Sequence, residues 1–147
     1  MAFVSNAQKP VLYIKSDKYE GVIFSRLPMN MGIKQPQYIP TEKEITRMEK
    51  ILVGPIGKSF FARIKKNPDY QYKCDFANNL QEYKRHYFGD WNKNDKLIRA
   101  FFFKEAPKNV NWKKSWFWIQ DGGCDYFQII YSIKSGTPLG LWIGSFQ

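Results

Sequence analysis

Ser115-Trp116-Phe117-Trp118-Ile119-Gln120-Asp121-Gly122-Gly123-Cys124-Asp125-Tyr126-Phe127-Gln128-Ile129-Ile130-Tyr131-Ser132-Ile133 is the stretch on which the fold turns. Residues 115–120 are rich in β-formers, and strand alternation puts Trp116 and Trp118 on one face, Phe117 and Ile119 on the other. Asp121-Gly122-Gly123 supplies the positive-φ positions of a tight hairpin. Cys124 to Ile133 reads as a second strand, with Phe127, Ile129, Tyr131 and Ile133 on one side. Ser135-Gly136-Thr137-Pro138 breaks it, and Leu139 to Gly144 returns with Leu139, Leu141 and Ile143 aligned. Both faces are apolar, so something beyond the sheet covers at least one of them.

Upstream, Tyr83 to Trp91 fits helical spacing through Leu80, Tyr83 and Tyr87. Alternation of Tyr83, Arg85, Tyr87 and Trp91 favours a strand instead. Asn92-Lys93-Asn94-Asp95 is its turn and Leu97 to Phe103 the returning arm. The expectation is an antiparallel meander of about five strands near residues 83–144. Thr41 with Glu44 forms a capping box, and Ile45, Met48, Ile51 and Leu52 give the helix it opens one apolar stripe. Gly54-Pro55 stops that helix, and Phe60 to Lys66 reads as a second short one with Phe60, Phe61 and Ile64 inward. Val11–Ile14 and Gly21–Phe24 flank a turn and form an N-terminal hairpin. Residues 26–40, with Pro28, Pro36 and Pro40, read as an irregular connector. The fold class is therefore α+β, a single domain over residues 9–147 with one or two helices packed on one sheet face.

The charge is uneven. Residues 1–120 hold 22 Lys/Arg against 11 Asp/Glu, whereas residues 121–147 hold one Lys and two Asp, for a net charge of +10 overall. Polyanions (nucleic acid, acidic polysaccharide, an anionic membrane surface) are the natural partners of such a chain, and a merely solvated Lys-rich surface is the plain alternative. An aromatic content of 18% excludes disorder. No uncharged apolar run approaches the eighteen or so residues of a membrane span.

Met1-Ala2-Phe3-Val4-Ser5-Asn6-Ala7-Gln8 ends like the small-residue tail of a secretory leader, although the charged start and most of the apolar core of a leader are missing. On this reading residues 1–8 are a leader remnant and the chain is periplasmic or secreted; otherwise it is cytoplasmic. Cys74 and Cys124 fit neither a CxxC pair nor a zinc spacing. In an exported chain they pair, closing a loop of about 50 residues worth roughly 4 kcal/mol; in a reducing compartment they are small buried thiols.

Pro40-Thr41…Ile45…Glu49-Lys50-Ile51-Leu52, then Tyr83-Lys84-Arg85-x-Tyr87-Phe88-Gly89, then Asp121-Gly122-Gly123-x-x-Tyr126-Phe127 resembles a family of small, leader-bearing, uncharacterised exported proteins of Bacteroidetes-type bacteria. The likeness spans roughly residues 38–133, and the ending Gly144-Ser145-Phe146-Gln147 departs from it. The resemblance implies export and a shared fold, and brings no catalytic residues.

Signals for chemistry are thin. Gly54-Pro55-Ile56-Gly57-Lys58-Ser59 ends like a phosphate-binding loop, but the first glycine such a loop needs is replaced by Leu52 and no strand precedes it, so it reads as a helix terminator. His86 is the one histidine, and as a general base it would work with Asp90 or another carboxylate; a surface or core histidine is the plainer reading. Asp121 and Asp125 flank the hairpin turn, where turn geometry explains the first without a cation. Trp116, Trp118, Tyr126 and Trp142 are the candidate ligand-binding rings, to stack on sugars or unpaired bases, or else they are core. Lys58, Arg63, Lys65, Lys66, Lys84, Arg85, Lys113 and Lys114 are the candidate polyanion contacts. The expected function is a non-enzymatic exported or periplasmic domain that binds another macromolecule, a protein or polysaccharide, with no cofactor and no metal. The alternatives are a polyanion binder and a small hydrolase or nuclease using His86.

Overall fold

The computed structural model describes residues 2–5, 8–26, 38–70 and 73–143. The expected connector therefore lies mostly outside the described residues, as do the chain's ending at 144–147 and Met1, Asn6 and Ala7 of the leader-like segment. Eight strands are present among the described residues: β1 (Ala2–Ser5), β2 (Pro10–Lys15), β3 (Glu20–Phe24), β4 (Lys84–Asn92), β5 (Asp95–Phe103), β6 (Trp116–Ile119), β7 (Tyr126–Ser132) and β8 (Thr137–Ile143). Among the described residues three helices, α1 (Glu42–Val53), α2 (Pro55–Lys66) and the short α3 (Phe76–Asn79), lie between β3 and β4.

Strands β2-β3-β4-β5-β7-β8 form one six-stranded sheet in that order. Every neighbour pair runs antiparallel except β3–β4, which is parallel. A parallel pair cannot be closed by a tight turn, and the helices are carried in the crossover that joins its two strands. The structure is α+β, with a meander of β4, β5, β7 and β8 and an N-terminal hairpin of β2 and β3. Residues 84–92 are strand, as alternation indicated.

One strand is not where hairpin logic puts it. β6 does not join the meander; it pairs with β1, Phe3 opposite Trp118 and Ser5 opposite Trp116, in a separate two-stranded ribbon. Asp121 and Gly123 do adopt positive φ, at 61° and 57°. They lead into a 3-10 turn at Gly123–Asp125 rather than a two-residue hairpin loop, so the chain changes layer before β7 begins. Trp116 and Phe117 are both sealed against Phe88, Phe101 and Phe103, so the ribbon covers the face of the main sheet away from the helices.

Cross-strand register sorts the sheet into two faces. The row Ile14–Gly21–Arg85–Phe102–Phe127–Ile143 faces the helices, and the row Tyr13–Val22–His86–Phe101–Gln128–Trp142 faces the ribbon side. On the helix side Ile45, Met48, Leu52, Phe60 and Phe61 pack with Tyr87, Phe102 and Phe127; on the other, Phe24, Phe88, Phe101 and Phe103 pack with Trp116 and Phe117. The capping box at Thr41 is formed, Thr41 Oγ1 accepting from the Glu44 amide at 3.1 Å and Glu44 Oε1 from the Thr41 amide at 2.9 Å. Gly54 ends α1 and Pro55 begins α2, which starts earlier than Phe60. The Gly57-Lys58-Ser59 sequence thus lies in a helical turn, not a phosphate loop, and a side chain at Gly57 would run into the Leu52 carbonyl. Cys74 and Cys124 are joined in a disulfide with Cα atoms 5.5 Å apart, tying the segment before α3 to the turn before β7.

Candidate functional site

The four candidate rings do not assemble into a platform. Trp116 is 0% and Tyr126 2% exposed, each inside the ribbon-side core, so no ligand reaches them. Tyr126 Oη donates to the Phe117 carbonyl at 3.0 Å. Trp118 and Trp142 are half-buried, one on the ribbon and one on the edge strand β8.

The eight candidate basic residues are likewise dispersed. Lys58, Arg63, Lys65 and Lys66 lie on α2, on the helix side of the sheet. Lys84 and Lys113 lie on the ribbon side, where their Nζ atoms sit 5.9 and 5.7 Å from the Trp112 ring centre, and Lys113 is 4.5 Å from that of Tyr13. Lys114 is exposed in the same loop. Arg85 is sealed and paired, so it is not a surface contact at all.

His86 and Asp90 are not brought together. They stand four residues apart on one strand, roughly 13 Å at the usual rise per residue. Nε2 of His86 lies 2.7 Å from the Trp112 carbonyl oxygen, to which it donates, and Nδ1 has no hydrogen-bond partner among the described residues. Burial pulls the imidazole from its ordinary 6.5 down to about 3, against the pull of the Trp112 carbonyl, so the ring is neutral. Asp90 is held by Arg99 Nε, and Arg99 Nη1 donates to Gln128 Oε1 at 3.1 Å. Asp125 sits 3.7 Å from Lys104 Nζ, and no group of three His, Cys, Asp or Glu residues among those described is placed to hold a metal.

A cleft does form, at the amino end of the parallel β3–β4 pair. It encloses about 600 Å³ between the β2–β3 turn, α1 and the α3 segment, a size suited to a small organic group. Its floor is the Arg85–Glu49 pair. Arg85 Nε and Nη2 donate to the two Glu49 oxygens at 3.1 and 3.0 Å, a bidentate geometry. Tyr87 Oη donates to Glu49 Oε2 at 2.6 Å, and Arg85 Nη1 donates to the carbonyls of Leu80, at 2.9 Å, and Tyr83. Burial opposes the charge on Arg85, but the adjacent Glu49 carboxylate and Tyr87 raise its pKa overall. Burial, and then Glu49, push the Tyr87 phenol well above its usual range. Tyr19 forms one wall, its ring centre 5.7 Å from the guanidinium carbon. Lys18, Lys50 and Asp17 stand on the rim, and Gln81 and Thr46 also line the cleft, the Thr46 hydroxyl donating to the Glu42 carbonyl at 2.9 Å.

Of this set only Arg85 stood among the candidate site residues. Glu49 carried a readable signal: it follows Ile45 by four residues and precedes Leu52 by three, so helical period places a carboxylate inside the apolar stripe. Tyr19 and Lys18 carried none, because only tertiary packing brings the β2–β3 turn beside α1. No protein-family model, no curated protein and no solved structure matches this chain.

Proposed function

We propose that this chain is an exported, non-catalytic domain that binds a macromolecule, one acidic sugar unit of which is seated in the Arg85–Glu49 cleft. The observation that carries the reading is the composition of that cleft: an aromatic wall at Tyr19, planar and hydroxyl-bearing hydrogen-bonding groups at Gln81 and Thr46, and two ammonium groups on the rim. A sugar ring stacks on an aromatic face while its hydroxyls bond to planar polar groups, and Lys18 and Lys50 suit a carboxylate on that ring. The disulfide supports export, since such bonds persist in oxidising compartments, and the family resemblance of residues 38–133 points the same way. A binding role rather than a catalytic one is supported by the sealed, neutral His86 and by the engagement of Asp90 with Arg99.

Isothermal titration with uronate-bearing oligosaccharides, against neutral oligosaccharides of the same length, tests the reading. Binding confined to the acidic set, weakened by Tyr19→Ala and by Lys18→Ala with Lys50→Ala, is the expected outcome. Heats indistinguishable from buffer across the acidic panel, or affinity unaltered in both variants, would remove the cleft as the binding site.

A further inference from the structure

The corner where α1 meets α2, next to the cleft, carries a second feature. Val53 is 44% and Ile56 43% exposed, large aliphatic side chains on either side of Gly54-Pro55. Between the helices at this corner lies a dimple of about 150 Å³ with Ile51, Pro55 and Ile56 in its lining and Arg47 and Lys50 beside them. Residues 50–66 contain five Lys/Arg and no Asp or Glu, and Lys50, Lys58, Arg63, Lys65 and Lys66 are all exposed. Asp75 shares a groove with Lys58 and Lys65, and Asp17 lines the cleft with Lys50.

We infer that this corner docks on an anionic lipid surface, Val53 and Ile56 entering the headgroup boundary while Arg47 and Lys50 beside them meet lipid phosphates. Two features select this occupant. The exposed side chains at the tip are aliphatic, whereas a surface that reads single-stranded nucleic acid presents aromatic rings for stacking. Aliphatic residues beside Lys and Arg are the pattern of peripheral membrane attachment, in which a small apolar insertion and electrostatic attraction act together. The corner is also stiff. Gly57 packs against the Leu52 carbonyl, where no Cβ fits, and Pro55 fixes the first turn of α2. The two aliphatic side chains are thus held outward before any surface arrives, which lowers the ordering cost of docking. The corner shares Lys50 and Val53 with the cleft, but vesicle binding reads the corner whether or not the cleft takes a sugar.

Co-sedimentation of the full chain with vesicles of phosphatidylcholine alone, and of phosphatidylcholine with phosphatidylglycerol, tests the inference. The expected result is binding to the anionic vesicles at low salt, release as salt is raised, and little binding to the neutral ones. Val53→Ser with Ile56→Ser should lower the partition at least about tenfold. Arg47→Gln and Lys50→Gln should each lower it by about fivefold. Melting temperatures of the variants, measured alongside, separate loss of fold from loss of docking. Equal partition onto neutral and anionic vesicles, no sedimentation with either, or wild-type binding by both the aliphatic and the charge variants overturns the inference. So does salt-sensitive retention on heparin or an oligonucleotide by a chain that ignores vesicles.

Discussion

The buried ion pair offers the sharpest quantitative test of how this molecule is held together. Arg85 and Glu49 are 1% and 3% exposed, so removing either leaves a charge in a poorly hydrated site, at a cost of about 3–5 kcal/mol. Glu49→Leu keeps the two Arg85 bonds to the carbonyls of Leu80 and Tyr83 but strips the guanidinium of its counter-charge and Tyr87 of its acceptor. Arg85→Leu leaves Tyr87 bonded to a lone carboxylate and takes the guanidinium from both carbonyls, that of Leu80 keeping the Tyr83 amide. The doubly substituted chain removes both charges, so its loss should fall short of the sum of the single losses by at least about 2 kcal/mol. Such a domain has a total stability of only about 5–15 kcal/mol, so either single change takes a large share of it.

The assay is urea unfolding of the four oxidised proteins, followed by tryptophan fluorescence, with the coupling taken from the double-mutant cycle. If the single losses simply add, with coupling below about 0.5 kcal/mol, the pair is effectively solvated through the cleft above it. In that case Arg85 and Glu49 are two independent surface-like groups, and a sealed ion pair is not what floors the cleft.

Three further outcomes follow from local features. Reducing the Cys74–Cys124 bond, or replacing both cysteines by Ser, opens a loop of sequence separation 50; the loss is about 4 kcal/mol, read by calorimetry as a fall in Tm of about 8–16 °C. His86 titrates at about 3 when folded against 6.5 ordinarily, so stability is full above pH 6.5 and is lost as the pH falls towards 3, by about 1.4 kcal/mol per unit. Urea unfolding between pH 7.5 and 5 measures that slope, and His86→Phe should flatten it. Thr41→Ala removes the acceptor for the Glu44 amide and should cost about 1 kcal/mol in the same assay.

What was readable in the residues, and what was not, divides along the range of the interaction. The cap at Thr41 and the stop at Gly54-Pro55 are set by neighbours within a few positions, and both stand where the spacing puts them. The strand at 84–92 was readable because its alternation extends over nine residues and outweighs the shorter helical match. The partner of residues 116–119 was not, since pairing is a long-range choice and the pattern of those residues serves a ribbon as well as a meander. Ala2–Ser5, which composition reads as the tail of a leader, is the segment that pairs with them. Two apolar strand faces likewise do not declare which is covered, and so Trp116 and Tyr126 looked as available as Trp142. Arg85 looked like one more cation in the run Lys84-Arg85-His86 because Glu49, its partner, is 36 residues away.

The position of the cleft is a consequence of the one parallel junction in the described sheet. An antiparallel β3–β4 pair would place the ends of a short loop at this edge and leave no room above Arg85. A parallel pair instead returns the chain to the amino end of β4 after three helices, and the last of them forms one side of the cleft. The first of them brings Glu49 over the row that contains Arg85, and the β2–β3 turn places Tyr19 beside both. The same crossover obliges α1 and α2 to meet at a tight corner, which is where Val53 and Ile56 are left exposed. The cleft and the corner are thus both products of one topological choice, and Lys50 and Val53 of the corner also line the cleft. A ligand seated against Lys50 would therefore sit close to any surface docked at the corner, so a macromolecule presented on a membrane could engage both without the protein changing shape.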